Sequence, residues 1–233
     1  MKIEDAKVVI TGATSGIGYE TAKVLKSLGA EVVICGRDHE KVFRTINDLN
    51  VNGFKADVSN ESEVTALFDY AVSKMGSVNV LINNAGVGLL APITETSVED
   101  FQKIWEVNVK GLFLAGKEAA KYFTAQQYGN IINIGSTASL RGFANGSAYV
   151  ASKFAVSGLT ECWRAELRPH HVRVMQINPS EVATDFITKI GMEIKNEDNK
   201  LKPSEIAHLV VSMLSMNDVG FIPDASVWAT SPW

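Results

Sequence analysis

Short β-branched runs recur along the chain with longer segments of helical spacing between them, and this alternation restricts the possible folds more than any other feature. Residues 7–11 (KVVIT), 31–35 (EVVIC), 79–83 (NVLIN), 130–134 (NIINI) and 172–178 (VRVMQIN) are nearly continuous in apolar character. A strand with one wet face alternates apolar and polar residues, so such runs require cover on both faces, the environment of a parallel sheet. Residues 17–28, 38–49, 61–75, 98–128 and 149–167 carry the helical spacing. Parallel neighbours need crossover connections, which are right-handed in almost all proteins. The expected fold is therefore α/β, a doubly wound parallel sheet with helices on both faces, formed as one domain over residues 1–233. A weaker third strand at 53–58 (GFKADV) and a last one at 221–229 bring the sheet to about seven strands. The least regular stretch, 186–202, contains Gly191 and the polar run 195–200 and reads as a loop with at most a short helix.

Composition narrows the functional classes. Hydrophobic residues make up 46% of the chain, yet no apolar run approaches the roughly 20 residues needed to cross a bilayer. The opening MKIEDAKVVI passes almost directly into a strand and lacks the features of a secretory signal, so a cytoplasmic location without a membrane partner is expected. A formal net charge of −4 disfavours nucleic acid as a partner, because that affinity rests on clustered Lys and Arg. Cys35 and Cys162 belong to no CxxC pair and are expected to be ordinary buried thiols. His170 and His171 are adjacent, and no third ligand stands at a recognisable spacing, so no metal site is expected.

Residues 11–18 (TGATSGIG) join the first strand to the first long helix. Glycines at such a junction permit a tight turn and let a pyrophosphate approach the backbone, while the helix N-terminus offers free N–H groups and a partial positive charge. Gly12, Gly16 and Gly18 fit those roles, with Ser15 and Ile17 among them. This is the setting of a Rossmann-type fold, although the G-x-x-x-G-x-G spacing differs from the common dinucleotide fingerprint and a purely structural turn shares its letters. The second strand ends at Cys35-Gly36-Arg37, where NAD-binding proteins commonly place a carboxylate for the ribose 2′-hydroxyl. A guanidinium suits a 2′-phosphate instead, so Arg37 favours NADP(H) over NAD(H). Asp38 beside it and the neutral Ser15 leave a solvated arginine at a helix start as the other reading.

Ser136 precedes Tyr149 by thirteen residues, and Lys153 follows it by four. Residues at i and i+4 share a helix face, so the lysine can lie near the phenol and favour its phenolate. A free tyrosine, with a pKa near 10, is a poor base at neutral pH, and a neighbouring cation moves it toward usefulness. Ser136 stands at the carboxyl end of a strand, where open α/β sheets bind ligands. Taken alone, the Tyr–Lys pair also fits an ordinary amphipathic helix.

Together these segments resemble the short-chain dehydrogenase/reductase family. TGATSGIG, Asn83-Asn84-Ala85-Gly86, Asn108 within VNVKG, Ser136, the run from Tyr149 to Lys153 (YVASK) and Asn178-Pro179 follow the family's order over nearly the whole chain. The resemblance implies that Tyr149 is the general acid and base, that Ser136 polarises a carbonyl, and that Lys153 holds the nicotinamide ribose and lowers the phenol pKa. It implies that Asn108 positions a water between that lysine and solvent. For the cofactor it implies that Asn84, Ala85 and Gly86 pack beside the adenosine half, that Asp57 and Val58 meet the adenine, and that Val182 and Thr184, after Pro179, meet the carboxamide. One departure is Pro179-Ser180 where the family usually has Pro-Gly.

The expected activity is reversible reduction of a small carbonyl compound to a secondary alcohol. In general appearance the chain looks like the 3-oxoacyl-acyl-carrier-protein reductase-like members, but Arg164, Arg168 and Arg173, candidates for the basic landing patch an acidic carrier needs, do not make a convincing cluster. The ending FIPDASVWATSPW departs from that pattern. The alternative is a non-catalytic, dinucleotide-binding regulatory protein, against which the complete set of Asn108, Ser136, Tyr149 and Lys153 argues. Trp105, Phe113 and Trp163 fit either apolar faces for a neighbouring subunit or simple core packing, and a homodimer or homotetramer is expected mainly because the resemblance implies it. Residues 88–92, 140–145 and 186–192 are expected to shape the substrate pocket.

Overall fold

A computed structural model describes residues 1–191 and 196–231. Seven strands form one sheet: β1 (Lys7–Thr11), β2 (Glu31–Gly36), β3 (Asn52–Lys55), β4 (Val80–Asn83), β5 (Gly129–Ile134), β6 (Val172–Pro179) and β7 (Asp224–Val227). Their order is β3-β2-β1-β4-β5-β6-β7 and every pairing is parallel. The chain reverses its direction of winding between β1 and β4, which opens a crevice at the carboxyl ends of the strands. This is the doubly wound, Rossmann-type α/β sheet that the apolar runs predict.

Successive residues of each central strand feed opposite cores, which is why the runs cannot alternate. Val8, Ile10, Val32 and Ile34 pack with α1 (Gly16–Ser27), α2 (His39–Leu49) and α8 (Pro203–Ser215). Val9, Val33, Cys35 and Leu81 face α3 (Glu61–Met75), α5 (Leu112–Gln126) and α6 (Ser147–Leu167) on the other side. Each fully buried aliphatic or aromatic side chain contributes about 1.5–3 kcal/mol, and Leu25, Phe68 and Phe123 have no exposed surface. The helices start at local signals. Asn60 caps α3 by accepting from the Ser62 and Glu63 amides, and Gly76 closes it in the left-handed region at φ 74°. Among the described residues no helix is long and apolar enough to cross a membrane, and no group of three or more His, Cys, Asp or Glu side chains is arranged to hold a metal.

Tertiary contacts redraw several of the expected elements. The single helix expected over 98–128 is α4 (Val98–Trp105) and α5 separated by a π-helical turn, Glu106–Gly111. Gly111 packs against Val58 so closely that a Cβ there would lie 2.6 Å from Val58 Cγ2, and buried Asn108 spends its amide on the loop after β4. β3 begins one residue earlier than expected and stops at Lys55, leaving Asp57 in the turn beyond it. The last strand is confined to β7. The irregular stretch contains α7 (Asp185–Lys189) and a 3-10 turn, Glu197–Asn199; Met192 and Lys195 lie outside the described residues. Cys35 is buried as expected, but Cys162 is exposed. Trp163 is also buried, its ring packed where a Gly116 Cβ would otherwise sit, so it belongs to the core and not to an open face.

Of the three arginines weighed as a landing patch, two are spent inside the fold. Arg173 is 6% exposed and points into the end of α8, donating to the Leu214, Met216 and Gly220 carbonyls and to Asn130 Oδ1. Arg164 donates to the Val174 and Pro223 carbonyls and pairs with Asp224, fastening β7 to the sheet. Removing the Arg173 guanidinium takes the donor from Asn130 Oδ1 and the Gly220 carbonyl, while the Leu214 and Met216 carbonyls keep the Met1 ammonium; a buried acceptor left unsatisfied costs about 1–3 kcal/mol. Arg173→Leu is expected to lower unfolding stability by roughly 3 kcal/mol in urea titration; a change within error would show that these carbonyls find other donors.

Candidate active site

The carboxyl ends of β1 and β4 are tied together before any ligand is considered. Asn84 Nδ2 donates to the Thr11 carbonyl at 3.0 Å and the Gly12 carbonyl at 2.9 Å, while Thr11 Oγ1 accepts from the Asn84 and Ala85 amides. Gly12 must turn away at once, at φ 63°, and a Cβ on it would lie 2.7 Å from Ala85 Cα. Gly16 is also left-handed and starts α1. Ser15 makes no side-chain capping bond, so the first amides of α1 stay available to an anion.

This turn opens into a cleft of about 1310 Å³ that runs along the carboxyl edge of the sheet. At one end Arg37 and Lys41 line the wall. Asp38, the carboxylate next to Arg37, caps α2 by accepting from the Lys41 amide at 3.1 Å. Asp57 lies just outside this cleft and accepts from both the amide and the hydroxyl of Ser59. Burial works to raise its pKa, but the Ser59 bonds and the nearby charges of Arg37 and Lys55 outweigh it and hold Asp57 below the usual carboxylate range.

At the other end, Ser136 at the end of β5 meets Tyr149 and Lys153 from the first turns of α6. Burial raises the Tyr149 pKa to about 12, and a hydrogen bond with the Ser136 side chain works in the opposite direction. Lys153 Nζ lies 5.8 Å from the centroid of the tyrosine ring and donates to the Ile134 carbonyl at 3.0 Å. Burial lowers its pKa to about 8, so at neutral pH the lysine is a cation and the tyrosine a neutral phenol. Asn108, in the π-helical turn, exchanges hydrogen bonds with the amide and carbonyl of Val87, both at 2.8 Å, and donates to Ser152 Oγ at 3.0 Å. Ser152 in turn donates to the Tyr149 carbonyl. The asparagine thereby joins the loop after β4 to the helix that carries the tyrosine and lysine. A π-helical turn at such a place is a recurrent mark of a functional site.

An uncapped helix N-terminus behind a left-handed glycine, two cations at one end and half-buried Ser136 with buried Tyr149 and Lys153 at the other fit an extended dinucleotide with its reactive ring beside Tyr149. The family described as short chain dehydrogenase matches residues 6–195. The chain belongs to this short-chain dehydrogenase family. It is an NAD(P)-dependent oxidoreductase of the class acting on CH–OH groups. Short chain aldehyde dehydrogenase 1 of Euphorbia lathyris is 35% identical over 225 residues, covering 94% of this chain and 77% of the relative. A 3-ketoacyl-(acyl-carrier-protein) reductase from Brucella melitensis, complexed with NADH, has a TM-score of 0.91 at 31% identity over 97% of both chains. An alcohol dehydrogenase from the archaeon Thermococcus sibiricus, complexed with 5-hydroxy-NADP, has a TM-score of 0.85 at 26% identity, also over 97% of both chains.

Of the site residues named from sequence, all but Gly18, Asp57 and Asn108 wall this one short-chain dehydrogenase cleft. Gly18 is buried beneath it, where a Cβ would lie 2.4 Å from Asn84 Nδ2, so it serves the packing of α1 on the turn. Ser180 fits in place of the usual glycine because its φ is not left-handed; its amide donates to the Val227 carbonyl and its Oγ accepts from the Ala229 amide. Two of the stretches expected to shape the pocket, 88–92 and 140–145, meet through Ala91, whose amide donates to the Asn145 carbonyl at 2.9 Å. Leu90, Phe143, Phe186 and Ile190, from these stretches and from 186–192, line the cleft. Sequence reasoning missed Lys41, four residues past Arg37 on the turn that Asp38 caps, and Trp228 at the opposite end, and it reached Arg141 only within the pocket-shaping stretch 140–145. Gly12→Ala combines a left-handed backbone with a clash against Ala85, and the backbone alone costs an L-residue about 1–2 kcal/mol. It is expected to lower the melting temperature and weaken dinucleotide binding in fluorescence titration, and unchanged values for both would remove the glycine from this role.

Proposed function

We propose that this chain interconverts a ketone and a secondary alcohol with NADP(H) in preference to NAD(H), using Tyr149 as general acid and base. The observation that carries the reading is the convergence of Ser136, Tyr149 and Lys153 in the same cleft as the glycine turn. Gly12, Gly16 and the first amides of α1 would hold the pyrophosphate, with Asn84, Ala85, Gly86 and Val58 along the adenosine half. Val182 and Thr184, beyond Pro179, would hold the carboxamide. When bound, the nicotinamide ring supplies the hydride for reduction and accepts it for oxidation.

In reduction the Ser136 hydroxyl donates to the carbonyl oxygen, and Tyr149 delivers its proton to the same oxygen as charge develops there. The Lys153 ammonium spends one of its three protons on Ile134, which leaves two donors for ribose hydroxyls and a positive charge to stabilise the phenolate. Asn108 is a positioning residue in this scheme, holding α6 and the loop after β4 at a fixed spacing. Arg37 and Lys41 supply two cations for a 2′-phosphate, while Asp38 is engaged as a helix cap. The reading includes a cytoplasmic homodimer or homotetramer of single-domain subunits, to which the exposed Trp105 and Phe113 lend support.

Tyr149→Phe is expected to abolish turnover of a ketone panel, by a factor of at least about a hundred, with NADPH affinity intact; substantial residual rate would remove the tyrosine from the proton step. In the wild-type protein, reduction should decline above about pH 8 as Lys153 loses its charge. Arg37→Asp replaces the proposed phosphate ligand with a ribose acceptor. The ratio of NADPH to NADH affinity should fall by at least about tenfold, and an unchanged ratio would show that Arg37 does not read the phosphate.

A further inference from the structure

The end of the cleft away from Arg37 holds a cation that the proton-transfer scheme does not use. Arg141 lies on the loop after Ser136, and its guanidinium carbon sits 5.0 Å from the centre of the Trp228 ring, just past β7. Both residues line the cleft. Among the described residues no carboxylate lies within ion-pair distance of Arg141. Glu181, which shares this end, is paired with Lys200, and Asp185, at the start of α7, makes no ion pair with Arg141. Around the guanidinium the surface is apolar and open: Leu140, Phe143 and Trp228 are each about half exposed. Inward from it, Phe186 packs on the Tyr149 ring at 5.8 Å between centroids.

A guanidinium over an indole face is held in place by the ring without losing its N–H donors, which suit a planar or tetrahedral anion. Trp228 thus fixes the direction of Arg141 without neutralising it. We propose that this end of the cleft is an anion subsite, and that the substrate is an amphiphile: a carbonyl at Tyr149, an apolar body along Phe143 and Phe186, and a carboxylate or phosphate on Arg141. This rests on reading the cleft as a carbonyl-reduction site and names the substrate class for it. The unusual C-terminal segment acquires a role here, since it delivers the aromatic ring that orients the cation.

The test reads binding, so that it is separate from turnover. NADPH-saturated protein is titrated calorimetrically with hexanoate, hexyl phosphate and hexanamide. At least one anion is expected to bind about tenfold or more tightly than the amide, and the tighter of the two tells carboxylate from phosphate. Arg141→Gln should abolish that preference while leaving hexanamide and NADPH affinity unchanged, and Arg141→Lys should restore part of it. No preference in the wild type, a preference that survives Arg141→Gln, or an equal loss for hexanamide would each overturn the proposal. If NADPH itself fails to bind, the carbonyl-reduction reading falls, and the same titrations on the dinucleotide-free protein decide the anion subsite by the same criteria.

Discussion

The amide of Asn84 clasps the Thr11 and Gly12 carbonyls, and the geometry of the cleft descends from that clasp. In a doubly wound sheet the crevice opens where the winding reverses, but the crevice is useful only if the two strand ends that border it are held at one spacing. Asn84 holds them with its side chain, Thr11 with its hydroxyl. The same closeness leaves Gly12 no room for a Cβ and sends the chain through a left-handed turn. Helix α1 therefore starts with its uncapped amides facing the crevice. Gly18 completes the joint from below, since a larger residue would displace the asparagine.

Burial at the other end acts on Tyr149 and Lys153 together, and in each case it favours the uncharged form. The phenol is pushed up to about 12 and the ammonium down to about 8, which separates two groups that in water both titrate near pH 10. What keeps the lysine charged at neutral pH is that its shift stops near 8. A pair held in this way has a proton to give and a charge beside it to receive the consequence. Charges elsewhere in the cleft stand at its open ends, Arg37 and Lys41 at one and Arg141 at the other, where solvent meets the cost of keeping them ionised.

Much of the architecture was legible because the signals are local. Continuous apolar runs marked five of the strands, since a strand fed into two cores has no polar face to show. Helix starts followed from residues such as Asn60, whose side chain satisfies amides two and three positions on. The site was legible for a related reason, as Tyr149 and Lys153 share a helix face by spacing alone. Where several distant segments meet, local signals failed. The π-helical turn depends on Asn108 reaching Val87 and on Gly111 meeting Val58, neither of which has a periodicity to read. Arg173 reads as a surface charge until β6 and the end of α8 enclose it. Trp163 reads as core or open face alike until Gly116 makes space for it.

The sequence by itself determined the class of fold, the glycine turn at the head of the cleft and the placing of Tyr149 and Lys153 on one helix face, because hydrophobic period, glycine placement and i,i+4 spacing are properties of neighbouring residues. Only the tertiary structure decided which charges are available. Asp38 is engaged by a helix end, Arg164 and Arg173 by backbone carbonyls and Glu181 by Lys200, while Lys41 and Arg141 line the cleft. A charged side chain spans several ångströms and can be satisfied by any donor or acceptor the fold brings within reach, so its partner is set by packing across the chain and not by its neighbours in sequence.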